Sequence, residues 1–155
     1  MQFSCPDPID TERLAEQLAM ACSKGMVIYL QGDLGAGKST FARAFIHALG
    51  FHGSIKSPTY SLLEVYALAD GFDALHMDLY RLADAEEVAF LALDEYAQNA
   101  KVWLIEWPEK GLGYIPNPDV VIRFSQQDNG RLLEFQAPNA MATACLKNIN
   151  PCFTN

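Results

Sequence analysis

Met26-Val27-Ile28-Tyr29-Leu30 is an unbroken apolar run of strand length, the mark of a strand buried on both faces of a sheet. Downstream, Phe41, Ala44, Phe45, Ala48 and Leu49 recur at helical spacing, and Gly50 is placed to stop that helix. The same two signals return along the chain. Leu14, Leu18 and Ala21 share one face of a helix that Asp10 can cap and Gly25 can end. Leu62-Leu63-Glu64-Val65-Tyr66 and Ala74 to Tyr80 flank the turn Asp70-Gly71-Phe72-Asp73, which predicts two adjacent antiparallel strands. Asp84, with Glu87 three residues on, forms a capping box for a helix through Val88, Leu91 and Leu93. Val102-Trp103-Leu104-Ile105 is a second continuous apolar strand, closed by Glu106, Trp107 and Pro108. Val120 to Ser125 and Leu132 to Phe135 make a hairpin about Asp128-Asn129-Gly130, Ala140 to Leu146 is a short helix, and Pro151 to Asn155 carries no pattern. The predicted fold is α/β with three layers, a mixed central sheet, largely parallel and part antiparallel, flanked by helices. At 155 residues, the chain is expected to be a single domain, 1–155.

What lies between the first apolar strand and the helix after it changes a fold reading into a functional one. Gly32-Asp33-Leu34-Gly35-Ala36-Gly37-Lys38-Ser39 fits the phosphate-binding P-loop, in which Gly, four residues, Gly and Lys precede Ser or Thr. The glycines let successive backbone amides turn inward around phosphate oxygens, and the helix N-terminus adds its dipole. Lys38 is placed to reach the terminal phosphates, and the Ser39 hydroxyl to complete the coordination of Mg²⁺; Thr40 backs up the loop. The fold expected is therefore P-loop NTPase-like, with nucleotide-binding residues Asp33, Leu34, Gly35, Ala36, Gly37, Lys38, Ser39 and Thr40.

In open α/β sheets ligands bind beyond the carboxyl ends of strands, so polar residues that end apolar runs are the next candidates. Glu106 ends the second such run; it would polarise a water opposite the terminal phosphate or hold a metal-bound water, unless it is only a solvated strand end. His76, Asp78 and Tyr80 share one face by strand alternation, which is either an exposed sheet face or a site where Asp78 supports Mg²⁺ through water. His76 reads as an orienting or packing residue. Thr59, in Ser57-Pro58-Thr59, would close over Mg²⁺ as a switch or serve a capped turn, and Arg81 would pair with Asp78, with phosphate or with a partner.

Composition narrows the function further. Eleven basic against nineteen acidic residues give a net charge of −8 with no Lys/Arg cluster, which disfavours unaided nucleic-acid binding. Cys5, Cys22, Cys145 and Cys152 form no Cys-x-x-Cys pair and read as reduced thiols of a cytoplasmic protein; no apolar run approaches the ~18 residues of a membrane span. A GTPase is disfavoured because Asn-Lys-x-Asp is absent. A small-molecule P-loop kinase is the main alternative, although arginines at 13, 43, 81, 123 and 131 are sparse for gripping an acceptor and a transferred phosphate.

Gly-Asp-Leu-Gly-Ala-Gly-Lys-Ser-Thr at 32–40, Ser-Pro-Thr-Tyr at 57–60, His-x-Asp-x-Tyr-Arg at 76–81 and Ile-Glu-Trp-Pro-Glu at 105–109 together resemble the TsaE (YjeE) family in order, spacing and total length. Ser39 stands where that family often has Thr, and Tyr60 where it often has Phe. The resemblance implies a P-loop ATPase, weak alone and stimulated by partners, that uses ATP and Mg²⁺ in forming threonylcarbamoyladenosine at tRNA position 37. It implies TsaD and TsaB as partners, with TsaC in the same machinery, and contact with tRNA only through them. It implies catalytic roles for Lys38, Glu106, Asp78 and Thr59. Metal contacts fall to Ser39, Asp78 and Glu106, partly through water, and Trp107 lies at the nucleotide site, where residue patterning alone would have placed it in the core.

Overall fold

The structure is a computed structural model that describes residues 1–150. It begins with a strand, β1 (Gln2–Cys5), that the sequence pattern does not announce, followed by α1 (Pro8–Ala21). Asp7 rather than Asp10 occupies the cap of α1: Pro8 takes the first helical position, and the Asp10 carboxylate reaches back to accept the Asp7 amide at 3.1 Å. Next come β2 (Met26–Gln31), the phosphate loop and α2 (Lys38–Ala48). The antiparallel pair β3 (Leu63–Ala67) and β4 (Asp73–Asp78) follows the long loop after α2.

The Asp84 capping box forms, but the segment it starts, Ala85–Leu91, winds as a 3₁₀ helix, and only the single turn α3 (Asp94–Ala97) is α-helical. A buried face reduced to Val88 within Ala85–Leu91 offers little packing to stretch it into a longer α-helix. β5 (Ala100–Glu106), a 3₁₀ turn at Pro108–Lys110, the hairpin β6 (Val120–Gln127) and β7 (Gly130–Gln136), and α4 (Ala140–Leu146) complete the chain. Residues 151–155, including Cys152, lie outside the described residues; Cys5, Cys22 and Cys145 are free thiols.

All seven strands join one mixed sheet in the order β1-β7-β6-β2-β5-β4-β3. β2 pairs in parallel with β5 and β6, and β5 with β4, while β3, β7 and β1 add antiparallel at the two sides. One face carries α1, α2 and α4 on a core that includes Leu14, Leu18, Phe41, Phe45 and Ala142 against Ile28, Leu30, Leu104 and Phe135. The other is covered by the Ala85–Leu91 turn, α3 and the loop through Ile115, packed on Tyr29, Leu75, Met77, Trp103 and Ile105. That sandwich explains why β2 and β5 read as continuous apolar runs: their residues alternate between two buried faces. Among the described residues no helix is long and apolar enough to cross a membrane.

Candidate functional site

β2 delivers the chain into the phosphate loop at the centre of the sheet, where two glycines are fixed by geometry. Gly32 has φ +145°, and a Cβ there would lie 2.6 Å from the Phe124 carbonyl oxygen on β6. Gly37, the N-cap of α2, has φ +104° and lies beneath the Arg131 guanidinium, which a Cβ would displace. At Gly32 neither a side chain nor an ordinary backbone conformation fits, and at Gly37 the positive φ calls for glycine. Lys38 follows at the first turn of α2, 4% exposed; its ammonium donates to the carbonyls of Gly32 and, at 2.8 Å, of Asp33, and lies 4.6 Å from the Trp107 ring centroid. Burial pushes its pKa down, against an upward pull from Glu106 and Asp78.

The loop opens into a cavity of about 490 Å³. Leu34, Gly35, Gly37, Lys38, Ser39 and Thr40 line it from the loop, Ser57 and Thr59 from the segment after α2, and Asp78, Tyr80, Arg81, Glu106 and Trp107 from the ends of β4 and β5. Asp33 and Ala36 face a smaller recess of about 260 Å³ beside Phe124 instead. A larger groove, about 550 Å³, runs between α1 and α2 past Glu12, Arg43 and His47, but it has neither inward amides nor a buried carboxylate.

Parallel pairing of β4 with β5 sets Asp78 opposite Glu106, so both carboxylates end neighbouring strands on the face that α2 covers. Neither is a solvated strand end: Asp78 is 7% and Glu106 3% exposed. Ser39 Oγ donates to Glu106 at 3.2 and 3.3 Å from its two carboxylate oxygens, and His76 Nε2 lies 2.8 Å from Glu106 Oε1. Asp78 accepts the Tyr80 amide at 3.0 Å, and burial above all holds its carboxyl above the usual range, with the Glu106 charge adding to the rise. The strand β4 stops at Asp78, so Tyr80 does not continue the His76–Asp78 face; its ring packs on Trp107 with centroids 5.0 Å apart. Trp107 itself turns the chain with φ +55°.

Thr59 sits in a turn whose hydroxyl shares a 2.6 Å hydrogen bond with Ser57, and the neighbouring Tyr60 is exposed beneath the Arg81 guanidinium, 4.5 Å from its ring centroid. Arg131, like Ser57 and Tyr80, lines the cavity although sequence reasoning did not name it as a site residue. It follows the hairpin turn and is brought over Gly37 by pairing of β7 with β6 and β1, opposite Cys5. Its Nη1 is buried without a hydrogen-bond partner. No local signal marks it; only the strand order carries β7 to that side of the phosphate loop.

The donor set suits an anion with a divalent cation. Among the described residues an unpartnered buried guanidinium nitrogen, an ammonium bonded to carbonyls of its own loop, glycine backbone, two carboxylates and the Ser39 hydroxyl line one cavity. Among the described residues no group of three or more His, Cys, Asp or Glu could hold a metal ion by itself, so a cation here would draw remaining ligands from phosphate and water.

The chain is similar to known proteins over most of its length. The family model described as threonylcarbamoyl adenosine biosynthesis protein TsaE matches residues 5–133. The tRNA threonylcarbamoyladenosine biosynthesis protein TsaE of Haemophilus influenzae is 38% identical over 155 residues, covering 97% of this chain and 95% of that protein. Its Bacillus subtilis counterpart is 41% identical over 108 residues, covering 69% of this chain and 66% of that protein. The crystal structure of Bacillus subtilis YdiB superimposes with a TM-score of 0.76 at 28% identity, covering 96% of this chain and 93% of that one.

Proposed function

Since the chain belongs to the TsaE family of tRNA threonylcarbamoyladenosine biosynthesis proteins, we propose that it is the ATP-hydrolysing component of that machinery. In this reading it acts in the cytoplasm and couples ATP hydrolysis to the working cycle of TsaD and TsaB, which hold the tRNA. The observation that carries the reading is the convergence of Lys38, Ser39, Asp78, Glu106 and Arg131 on one cavity at the end of the phosphate loop. Mg²⁺ bound with ATP would neutralise charge on the terminal phosphates.

The protein's own groups do the rest. Amides from Gly35 to Ser39 and the N-terminus of α2 cradle phosphate oxygens, while Lys38 and Arg131 face their charge from two sides. Ser39, Glu106 and Asp78 would hold the cation directly or through water, and Glu106 would orient the attacking water. Thr59, on the segment tied by Tyr60 to Arg81, closes the site when a terminal phosphate is present. Trp107 and Tyr80 form an aromatic wall beside Lys38 that keeps this end of the cavity dry.

The test is phosphate release from ATP by the chain with and without TsaD and TsaB, together with calorimetric titration of ATP and Mg²⁺. Partner-stimulated release, lost with Lys38→Ala, is expected. Absence of ATP binding with the partners supplied, or phosphate appearing on an added nucleoside as in a kinase, would overturn the proposal.

A further inference from the structure

The buried residue with no assigned task is His76. It sits within β4, 2% exposed, where an apolar side chain would pack without cost. Its Nε2 is 2.8 Å from Glu106 Oε1, and its Nδ1 is buried with no hydrogen-bond partner. A carboxylate accepts but does not donate, so the proton of this bond belongs to Nε2 and the orphan Nδ1 bears a lone pair in the neutral ring. An orphan polar atom costs about 1–3 kcal/mol, so packing alone gives no reason for an imidazole here. The bond to Glu106 is the only polar contact the ring makes in the described structure.

Glu106 needs such a contact. Its carboxylate terminal torsion is broad and roughly two-fold, and among the described residues its only other hydrogen-bonding side chain is the Ser39 hydroxyl. The β4–β5 register sets His76 beside Leu104, two residues before the Asp78–Glu106 pair, so the imidazole reaches diagonally along the sheet to the carboxylate rather than lying opposite it. One oxygen is thereby tied back into the sheet.

We propose that His76 is a positioning residue for Glu106: by donating from Nε2 to Oε1 it locks the carboxylate plane, so that Glu106 meets Ser39 and the divalent cation in one orientation. This rests on the ATPase reading above and deepens it. His76 does not line the cavity and touches it only through Glu106, so its effect is confined to what Glu106 does.

The experiment compares His76→Leu, which keeps bulk but not the donor, with His76→Gln, which restores an N–H donor on a side chain of similar reach. Each is measured in the assembled complex with TsaD and TsaB for kcat, KM and the Mg²⁺ concentration at half-maximal rate, and alone for ADP binding without Mg²⁺. His76→Leu is expected to lower kcat or raise the Mg²⁺ requirement by about 10- to 100-fold, the range seen when a group orienting a metal-binding side chain is removed. ADP affinity without Mg²⁺ and KM stay within about two-fold of the parent, and His76→Gln recovers most of the loss. In a Glu106→Ala background, which removes the acceptor, His76→Leu adds nothing further, a readout that survives even if His76→Gln folds poorly. Turnover by His76→Leu at the parental rate and Mg²⁺ dependence overturns the inference while leaving the ATPase reading intact. So does a loss that the Glu106→Ala background does not absorb. A parent protein that fails to bind ATP sinks the reading itself, which separates the two failures.

Discussion

Arg131 makes the sharpest quantitative prediction, because one contact is expected to change sign when an anion binds. Its guanidinium lies over Gly37 at the start of α2, with Nη1 buried and, among the described residues, unpartnered. A cation at a helix N-terminus faces the positive end of the dipole at a cost of about 0.3–1 kcal/mol. An unsatisfied buried donor adds about 1–3 kcal/mol. Arg131→Met keeps the length and apolar stem of the side chain and removes both costs, less the packing of the guanidinium. A net gain of about 1 kcal/mol in the nucleotide-free protein follows, or roughly 2–4 °C in Tm for a chain of this size. With a polyphosphate present the same guanidinium would make charge-assisted hydrogen bonds worth about 1.5–3 kcal/mol, so the substitution should weaken ATP affinity roughly 10- to 150-fold. Differential scanning calorimetry without nucleotide and titration calorimetry with ATP and Mg²⁺ read the two arms separately. A lower Tm with unchanged ATP affinity would refute the reasoning and make Arg131 a strut between β7 and the phosphate loop.

The other predictions concern the carboxylates, the loop and the core. The Asp78 carboxyl is held above its ordinary value, chiefly by burial, so its protonated form favours the fold at low pH, and that contribution is lost as pH rises from the ordinary carboxylate value of about 3.9 through the higher folded value. Asp78→Asn, which keeps an oxygen for the Tyr80 amide, should therefore raise Tm at pH 7, flatten its decline with rising pH and impair Mg²⁺-dependent turnover; a Tm no higher than the parent's across that range would contradict it. Gly32→Ala must accept φ +145° and a Cβ 2.6 Å from the Phe124 carbonyl, at a cost of about 1–3 kcal/mol from backbone strain before any clash. Urea unfolding that shows no destabilisation would refute this placement of the loop. Phe41→Ala, at a fully buried position ringed by Phe45, Phe124 and Phe135, should cost about 3–5 kcal/mol by the same measurement, and a loss under ~1 kcal/mol would mean the α2 face is not packed as described.

What could be read from the sequence was whatever the chain signals locally. β2 and β5 announced themselves because both their faces are buried, and α2 because a glycine-rich loop and a helical stripe adjoin. The β3–β4 and β6–β7 hairpins carry their own turn residues, and the Asp84–Glu87 capping box is visible as a spacing. β1 was invisible because Gln2–Cys5, cut short by Pro6, is too brief for its exposed–buried alternation to stand out; it becomes a strand through pairing with β7. The Ala85–Leu91 segment shows its cap but not its winding, which depends on how little of it the sheet buries. In the site, the phosphate loop and the strand-ending carboxylates follow from local rules. The Ser39–Glu106 contact joins residues 67 positions apart, and the setting of Arg131 over Gly37 depends on strand order. Neither leaves a trace in composition or spacing.

The strand order also sets a timetable for synthesis. β2, β3, β4 and β5 emerge from the ribosome before β6 and β7 and can pair among themselves, so the phosphate loop and both carboxylates exist in a half-built sheet. β1, although it precedes β2, has no partner strand until β7 appears. Translation thus completes the anion-binding half of the cavity, including Arg131, only once β7 has been made, and a nascent chain stalled before residue 130 holds a loop without its second cation.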